Sequence, residues 1–331
     1  MKVRIASAAY AVPRESENVE AVLSRERDRV EAALASLSAR SRHKATLGLG
    51  LERVRVCGSR QPFDLVLEAA SAALQEASLA QGDLDLIIDF STFPGENSHQ
   101  VSFAHKLSAE LNAETSLNLS FKAGGCAGLH IAVKTAMALM ANDGKIRNAL
   151  LVTGDTPPQG NRTLLPVTVQ GDAGSAMVLR QQPGGPEILA VQVMTLGHLY
   201  DAICLTRENG RLAIAVDALR IENAVMPIYY LNLYRLIQDA LASASLTLDD
   251  VDHFIYSNIS QRDRDGFGRM LGLSENDLPK TPMAEYGHTF ASDLIINYQT
   301  LRQQGSIHPG QLLLFASAGI GFTWGVTLAR A

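Results

Sequence analysis

Cys126 is the residue whose neighbours best equip it for covalent chemistry. It sits in Ala123-Gly124-Gly125-Cys126-Ala127-Gly128, between a strand and an apolar helical stretch, Leu129–Met140. Unsatisfied N–H groups and the helix dipole at such a start favour a thiolate. The flanking glycines remove Cβ bulk, so the chain bends sharply and a substrate can approach. The same position also suits a buried structural cysteine, the commoner fate of a free thiol. Cys57 and Cys204 lack such a setting and read as structural. No CxxC, HExxH or similar spacing occurs, so the sequence offers no metal site.

The elements that must position Cys126 follow from pattern. Val3–Val12 reads as a strand stopped by Pro13, and Glu15–Ser41 as charged and helical. Phe63–Ala80 is an amphipathic helix. Asp83-Leu84-Asp85 leads into a short buried strand, Leu86–Phe90, then a Pro/Gly loop at Phe93-Pro94-Gly95-Glu96-Asn97. A helix over His99–Leu111 and a strand over Ser116–Leu119 come next. Leu129–Met140 is apolar almost all round, which predicts a helix buried on every face, ended by Asp143-Gly144. Strands are expected at Ala149–Val152 and, after Gly171-Asp172-Ala173-Gly174, at Ser175–Leu179.

The chain then repeats itself. A second amphipathic helix, Leu236–Leu246, leads into Asp250-Val251-Asp252-His253-Phe254-Ile255-Tyr256, which parallels Asp83–Asp89 at an offset of 167. A helix from the Tyr286-Gly287-His288-Thr289 turn to Leu301 follows, then strands Gln311–Phe315 and Phe322–Leu328 around Ala318-Gly319-Ile320-Gly321. Self-similarity at half the chain length predicts two related α/β halves, with largely parallel sheets covered on both faces.

Composition sets the outer bounds. The 331 residues are 47% hydrophobic and 19% charged, enough for a full core. A net charge of −5 argues against nucleic acid or a polybasic membrane contact. No apolar run approaches the ~18 residues of a membrane span, and Met1–Val12 lacks the layout of a signal peptide. Three scattered cysteines make no disulfide framework, so a cytoplasmic setting is expected.

Three strings resemble landmarks of the ketoacyl-acyl-carrier-protein synthase III group of the thiolase superfamily. They are Gly125-Cys126-Ala127-Gly128, Gly171-Asp172-Ala173-Gly174-Ser175-Ala176 and Gly319-Ile320-Gly321-Phe322-Thr323-Trp324-Gly325. The resemblance implies a thiolase-like α/β fold of two duplicated halves in αβαβα layers, here residues 1–180 and 181–331. It implies that Cys126 takes an acyl group from a pantetheine thioester of CoA or an acyl carrier protein. The N–H groups of Cys126 and Gly321 would form the oxyanion hole. It also implies a homodimer, and no bound cofactor. The absence of an N-terminal Trp to stack on the CoA adenine leans toward a carrier-protein donor.

The departures bear on the reaction. The family's catalytic His position holds Ser257, followed by Asn258, and His253 lies about 13 Å away along the strand. The family's Gly-Asn-Thr is replaced by Gly287-His288-Thr289. The His and Asn that stabilise an enolate are therefore not in their usual form. The string His288-Thr289-Phe290-Ala291-Ser292-Asp293 instead resembles an acyltransferase branch using Cys, a relocated His and an Asp. A single His can act as general base toward an alcohol or amine. Asp293 orients His288 only if the helix begins after His288; otherwise it is a first-turn acid facing the dipole.

The remaining histidines, His99, His105, His130, His198 and His308, read as helix, core or loop residues. The cluster Arg40-Ser41-Arg42-His43-Lys44 reads as a solvated face or a phosphate contact. Loops near residues 90–97, 156–169 and 195–225 are expected to shape the acyl pocket. The leading expectation is acyl transfer from CoA or carrier protein through Cys126 to a small-molecule alcohol or amine of secondary metabolism, with His288 as base. The alternatives are decarboxylative carbon–carbon condensation, with His288 and Asn258 replacing the usual pair, and a non-catalytic subunit of a heterodimeric synthase.

Overall fold

The computed structural model describes residues 2–35, 37, 38, 42, 45, 48–93, 102–122, 124–208, 210–274 and 277–331. The expected loop at Pro94–Asn97, His99, Ala123, and Arg40, Ser41, His43 and Lys44 of the basic cluster lie outside these residues.

Nine strands form the main sheet: β1 (Arg4–Ala11), β2 (Leu86–Asp89), β3 (Leu117–Ser120), β4 (Asn148–Asp155), β5 (Ala173–Arg180), β6 (Glu187–Thr195), β7 (His253–Tyr256), β8 (Leu312–Gly319) and β9 (Thr323–Arg330). Their order is β7-β8-β9-β6-β1-β5-β4-β2-β3. Strands from residues 4–180 lie to one side and those from 187–330 to the other. The two sides meet at one residue pair, Arg4 with Glu187.

Six helices pack on the strands: α1 (Pro62–Glu76), α2 (Phe103–Glu110), α3 (Gly128–Asn142), α4 (Met226–Ser243), α5 (Gln261–Leu271) and α6 (Ser292–Gln303). Side-chain alternation separates the layers, because successive strand residues point to opposite faces. Leu86 and Ile88 join α3 and α6 in a central core, whereas Ile87 joins α1 and α2. Leu313 and Phe315 face the central core, while Leu312 and Leu314 face α4 and α5. Helices thus lie outside each half-sheet and between the two, an αβαβα layering.

Two expectations need correction. The sheet is not largely parallel: β2 runs parallel to β3 and β4, and β7 to β8, but the other five pairings are antiparallel. Helical crossovers deliver the parallel pairs, whereas the short turn from Gly319 to Thr323 can only reverse the chain. Nor is α3 buried on every face. Leu129, Ala132, Val133, Ala136 and Met140 are buried, but Lys134 and Ala138 are exposed and Ile131, Met137 and Leu139 half-buried. The N-terminal helical expectation also shortens, to Val19–Arg25 and Arg27–Ala35 after a small strand at Ser16–Asn18.

Candidate active site

Cys126 lies in a one-turn 3₁₀ segment, Gly125–Ala127, that feeds α3. Gly124 and Gly125 both take positive φ, 92° and 49°. A side chain on Gly125 would strike Ile320, with a Cβ 2.8 Å from the Ile320 nitrogen. A Cβ on Gly319 would lie 2.5 Å from the Cys126 nitrogen. The glycine strings around residues 125 and 319 therefore let two backbones meet at the cysteine. From behind, Ser317 Oγ donates to the Cys126 carbonyl at 3.2 Å.

The structure brings Cys126, His288 and Asp293 together. Cys126 Sγ is 3.1 Å from His288 Nε2, and His288 Nδ1 is 2.6 Å from Asp293 Oδ2. The condition on helix start is met, since α6 begins at Ser292. Between His288 and α6 the chain reverses at Phe290, whose φ of 56° is rare for a bulky residue. That turn swings the Asp293 carboxylate back onto His288. Asp293 Oδ2 also accepts the Asn258 N–H, and Oδ1 accepts the N–H and hydroxyl of Thr289. Four donors thus hold this fully buried acid in one orientation.

The His288 backbone is equally fixed. Its N–H donates to the Val169 carbonyl and its carbonyl accepts the Gly171 N–H. Gly171 permits this approach, because a Cβ there would meet the Tyr286 carbonyl at 2.1 Å. Asp172 has a structural duty: both its oxygens pair with Arg162, and it accepts the Cys57 N–H. This buried pair pins the 156–169 segment beside the site.

Cys126 and His288 are only 6% and 3% exposed. They are reached through a cavity of about 350 Å³ whose wall is mostly apolar, including Leu164, Val167, Ile203, Val225 and Phe322. Among the described residues, the expected regions 156–169 and 195–225 contribute. Burial alone would push the His288 imidazole down. The Cys126 sulfur and the Asp293 carboxylate outweigh it and hold the group well above its ordinary value.

Other candidates fall elsewhere. Gly321 does not line the cavity; Gly319 and Ile320 do, and it is the Ile320 nitrogen that meets the elbow. Ser257 is fully buried with its hydroxyl unpartnered, and it does not line the cavity. The Asn258 side chain pairs reciprocally with Asn297, so it fixes the acid's surroundings and does not enter the cavity. His130 is a core histidine held by Thr327 and Ser317, with burial pulling it down to about 3. His253 contacts Gln311, His105 contacts Ser102, and His198 and His308 are exposed. Burial, with the nearby Asp172, pushes Cys57 up to about 12.

Sequence reasoning passed over Asp263 and Tyr230, which line the same cavity. The signal was Ser260-Gln261-Arg262-Asp263, a capping pattern at a helix start. Ser260 does cap α5, accepting the Asp263 N–H, but the Asp263 side chain turns to Tyr230. Among the described residues no group of His, Cys, Asp and Glu is arranged to hold a metal, and no helix is long and apolar enough to cross a membrane.

Residues 122–197 match the family model for 3-oxoacyl-[acyl-carrier-protein] synthase III, and residues 241–331 match its C-terminal model. The chain is 29% identical over 278 residues to a beta-ketoacyl-[acyl-carrier-protein] synthase III of Rhodospirillum rubrum, covering 81% of this chain and 83% of the relative. It is 28% identical over 294 residues to the synthase III of Thermosynechococcus vestitus, covering 84% and 86%. Its fold matches the crystal structure of synthase III from Aquifex aeolicus with a TM-score of 0.81 at 20% identity, covering 99% and 100%. It also matches ChlB3, described as an acyltransferase, with a TM-score of 0.82 at 22% identity, covering 100% and 98%.

Proposed function

The chain belongs to the 3-oxoacyl-[acyl-carrier-protein] synthase III family, with its thiolase-like fold, and is an acyltransferase of that type; from that premise we propose that it moves an acyl group from a CoA or carrier-protein thioester, through Cys126, to an alcohol or amine of secondary metabolism. The observation that carries this reading is the Cys126–His288–Asp293 chain of contacts, with Asn258 paired to Asn297 and Ser257 outside the cavity.

In the first half-reaction the Cys126 thiolate attacks the thioester carbonyl. The C–S bond to pantetheine breaks, and the departing thiolate takes the proton on His288 Nε2. Two N–H groups, those of Cys126 and Ile320, are offered as the oxyanion donors, in place of the expected Gly321. Acylation removes the Cys126 contribution that helped hold His288 above its ordinary value. His288 is then a neutral base, oriented through Nδ1 by Asp293. In the second half-reaction it takes the acceptor's proton at Nε2 as the acceptor oxygen or nitrogen bonds the acyl carbon. The C–S bond to Cys126 breaks, and the proton on His288 Nε2 is left facing the freed sulfur.

This reading treats residues 1–180 and 181–331 as two thiolase-like halves, needs no bound cofactor, and sets the protein in the cytoplasm. A homodimer fits the edge position of β3, where, among the described residues, Leu117 is 44% exposed and Leu119 and Phe121 are half-buried. The relatives' names favour a second reading, decarboxylative condensation. One experiment separates them. Wild type and Cys126→Ala are pulsed with acyl-CoA and acyl-carrier thioesters, and intact mass is taken. The acyl-enzyme is then offered an alcohol or a malonyl carrier. Transfer to the alcohol without CO2 release supports acyl transfer, and CO2 release with a new carbon–carbon bond supports condensation. No adduct on Cys126 overturns both.

A further inference from the structure

The cavity that reaches Cys126 has a polar feature that the triad does not use. Asp263 sits in the first turn of α5 and lines the cavity with Ser260, Tyr229 and Tyr230. Its Oδ1 accepts the Tyr230 hydroxyl at 3.0 Å. Its Oδ2 is buried and makes no well-aligned hydrogen bond, although the carboxylate also feels the Tyr256 hydroxyl. The α5 terminus does not need this carboxylate, because Ser260 already caps it. Packing does not need it either, since the neighbouring wall is apolar and aromatic. Burial raises the group to about 6, with the Tyr256 and Tyr230 hydroxyls, His288 and Arg262 pulling it back. A half-satisfied buried carboxylate is costly to keep, and such groups concentrate at sites of function.

We propose that Asp263 anchors the acyl acceptor: its Oδ2 receives a hydrogen bond from a hydroxyl of the acceptor other than the one that is acylated. The proposal rests on the reading of the chain as an acyltransferase to an alcohol. Asp263 and His288 open onto one cavity, so a single small molecule of about that volume touches both. The anchor defines the acceptor class as a neutral molecule with at least two hydroxyls. A neutral donor is favoured over an ammonium because Arg262 and Arg269 line the same cavity and already supply positive charge. A ligand that brings a donor to this oxygen pairs it, and gains about tenfold or more in affinity over one of equal size that does not. Asp263 is a specificity residue here; it moves no proton.

The test uses purified full-length chain and a ladder of α,ω-diols paired with 1-alkanols of equal length. The acyl-enzyme is formed with acyl-CoA and checked by intact mass, then kcat/KM for transfer is measured for each alcohol. Wild type is expected to prefer at least one diol over its matched mono-alcohol by about tenfold or more. Asp263→Asn keeps the side chain's shape but turns an acceptor into a donor, and is expected to bring that ratio close to one, mainly through KM. Tyr230→Phe, which frees Oδ1 to turn, is expected to lower the ratio partway. Transfer with no diol preference in wild type, or a preference that survives in Asp263→Asn, overturns the anchor and leaves acyl transfer standing. An acyl-enzyme that no alcohol discharges overturns the alcohol reading and the anchor with it.

Discussion

The carboxylate of Asp293 meets the imidazole of His288 at 2.6 Å across a backbone reversal of only four intervening residues. The contact exists because Phe290 takes a left-handed φ and α6 starts late. Asp293→Asn should keep the fold but offer His288 the wrong hydrogen-bond partner. Acyl transfer from Cys126 to an alcohol should then fall by roughly 10²–10⁴-fold. Single-turnover decay of the acyl-enzyme, followed by intact mass, measures it. An unchanged decay rate would mean the acid is only structural.

Arg162 and Asp172 form a buried bidentate pair holding the 156–169 segment against the cavity. Arg162→Ala leaves an uncompensated buried carboxylate, and should cost about 3–5 kcal/mol of stability. Because Leu164 and Val167 line the cavity, the acceptor KM should rise as well. Denaturant melts and steady-state kinetics on the same preparation test both effects.

His130 is neutral when folded, held down to about 3 by burial, whereas an unfolded histidine titrates near 6.5. The unfolded chain therefore binds the proton first, and stability is lost as pH falls below about 6.5 toward 3. The slope from this one residue approaches 1.4 kcal/mol per pH unit. A His130→Gln variant should lack that part of the slope. Urea titrations at several pH values between 3 and 7 would show it, and parallel slopes in the two proteins would refute it.

Asp263 works in the opposite direction. Its folded value is raised to about 6, so the protonated form suits the fold, and stability is lost as pH rises from the ordinary carboxylate range through 6. Asp263→Asn mimics the protonated form. It should be more stable than wild type at pH 7, by on the order of 1–3 kcal/mol, and this advantage should shrink between pH 6 and pH 4. Thermal melts of both proteins across that range decide it.

How far the sequence reveals this molecule depends on whether local pattern or long-range contact decides the position. The repeat is local and is readable. At the offset of 167, β2 maps onto β7, and the one-turn 3₁₀ segments at Gln81–Asp83 and Leu248–Asp250 coincide. Asp85 and Asp252 even share a task, each accepting backbone N–H groups at the foot of a neighbouring strand. The glycine elbow at Cys126 and the relocated His288 are also local signals. That Ile320 rather than Gly321 comes against the elbow is not legible, because it depends on how β8 ends against Gly125. Asp263 carried no signal beyond helix capping, since its meaning comes from Tyr230, 33 residues away. The start of α4 lies ten residues before the expected Leu236, because a π turn at Ile221–Val225 and Pro227 break the pattern there.

The backbone clamp on His288 has one more consequence. Val169 and Gly171 hold the histidine's peptide groups, and the residues just before them, Leu164, Pro166, Val167 and Thr168, form part of the cavity wall. The wall and the base are one mechanical piece. A substitution that shifts this stretch of wall should therefore also be felt in the separation of the imidazole from the sulfur, 3.1 Å in the structure, so pocket shape and base position are not independent variables.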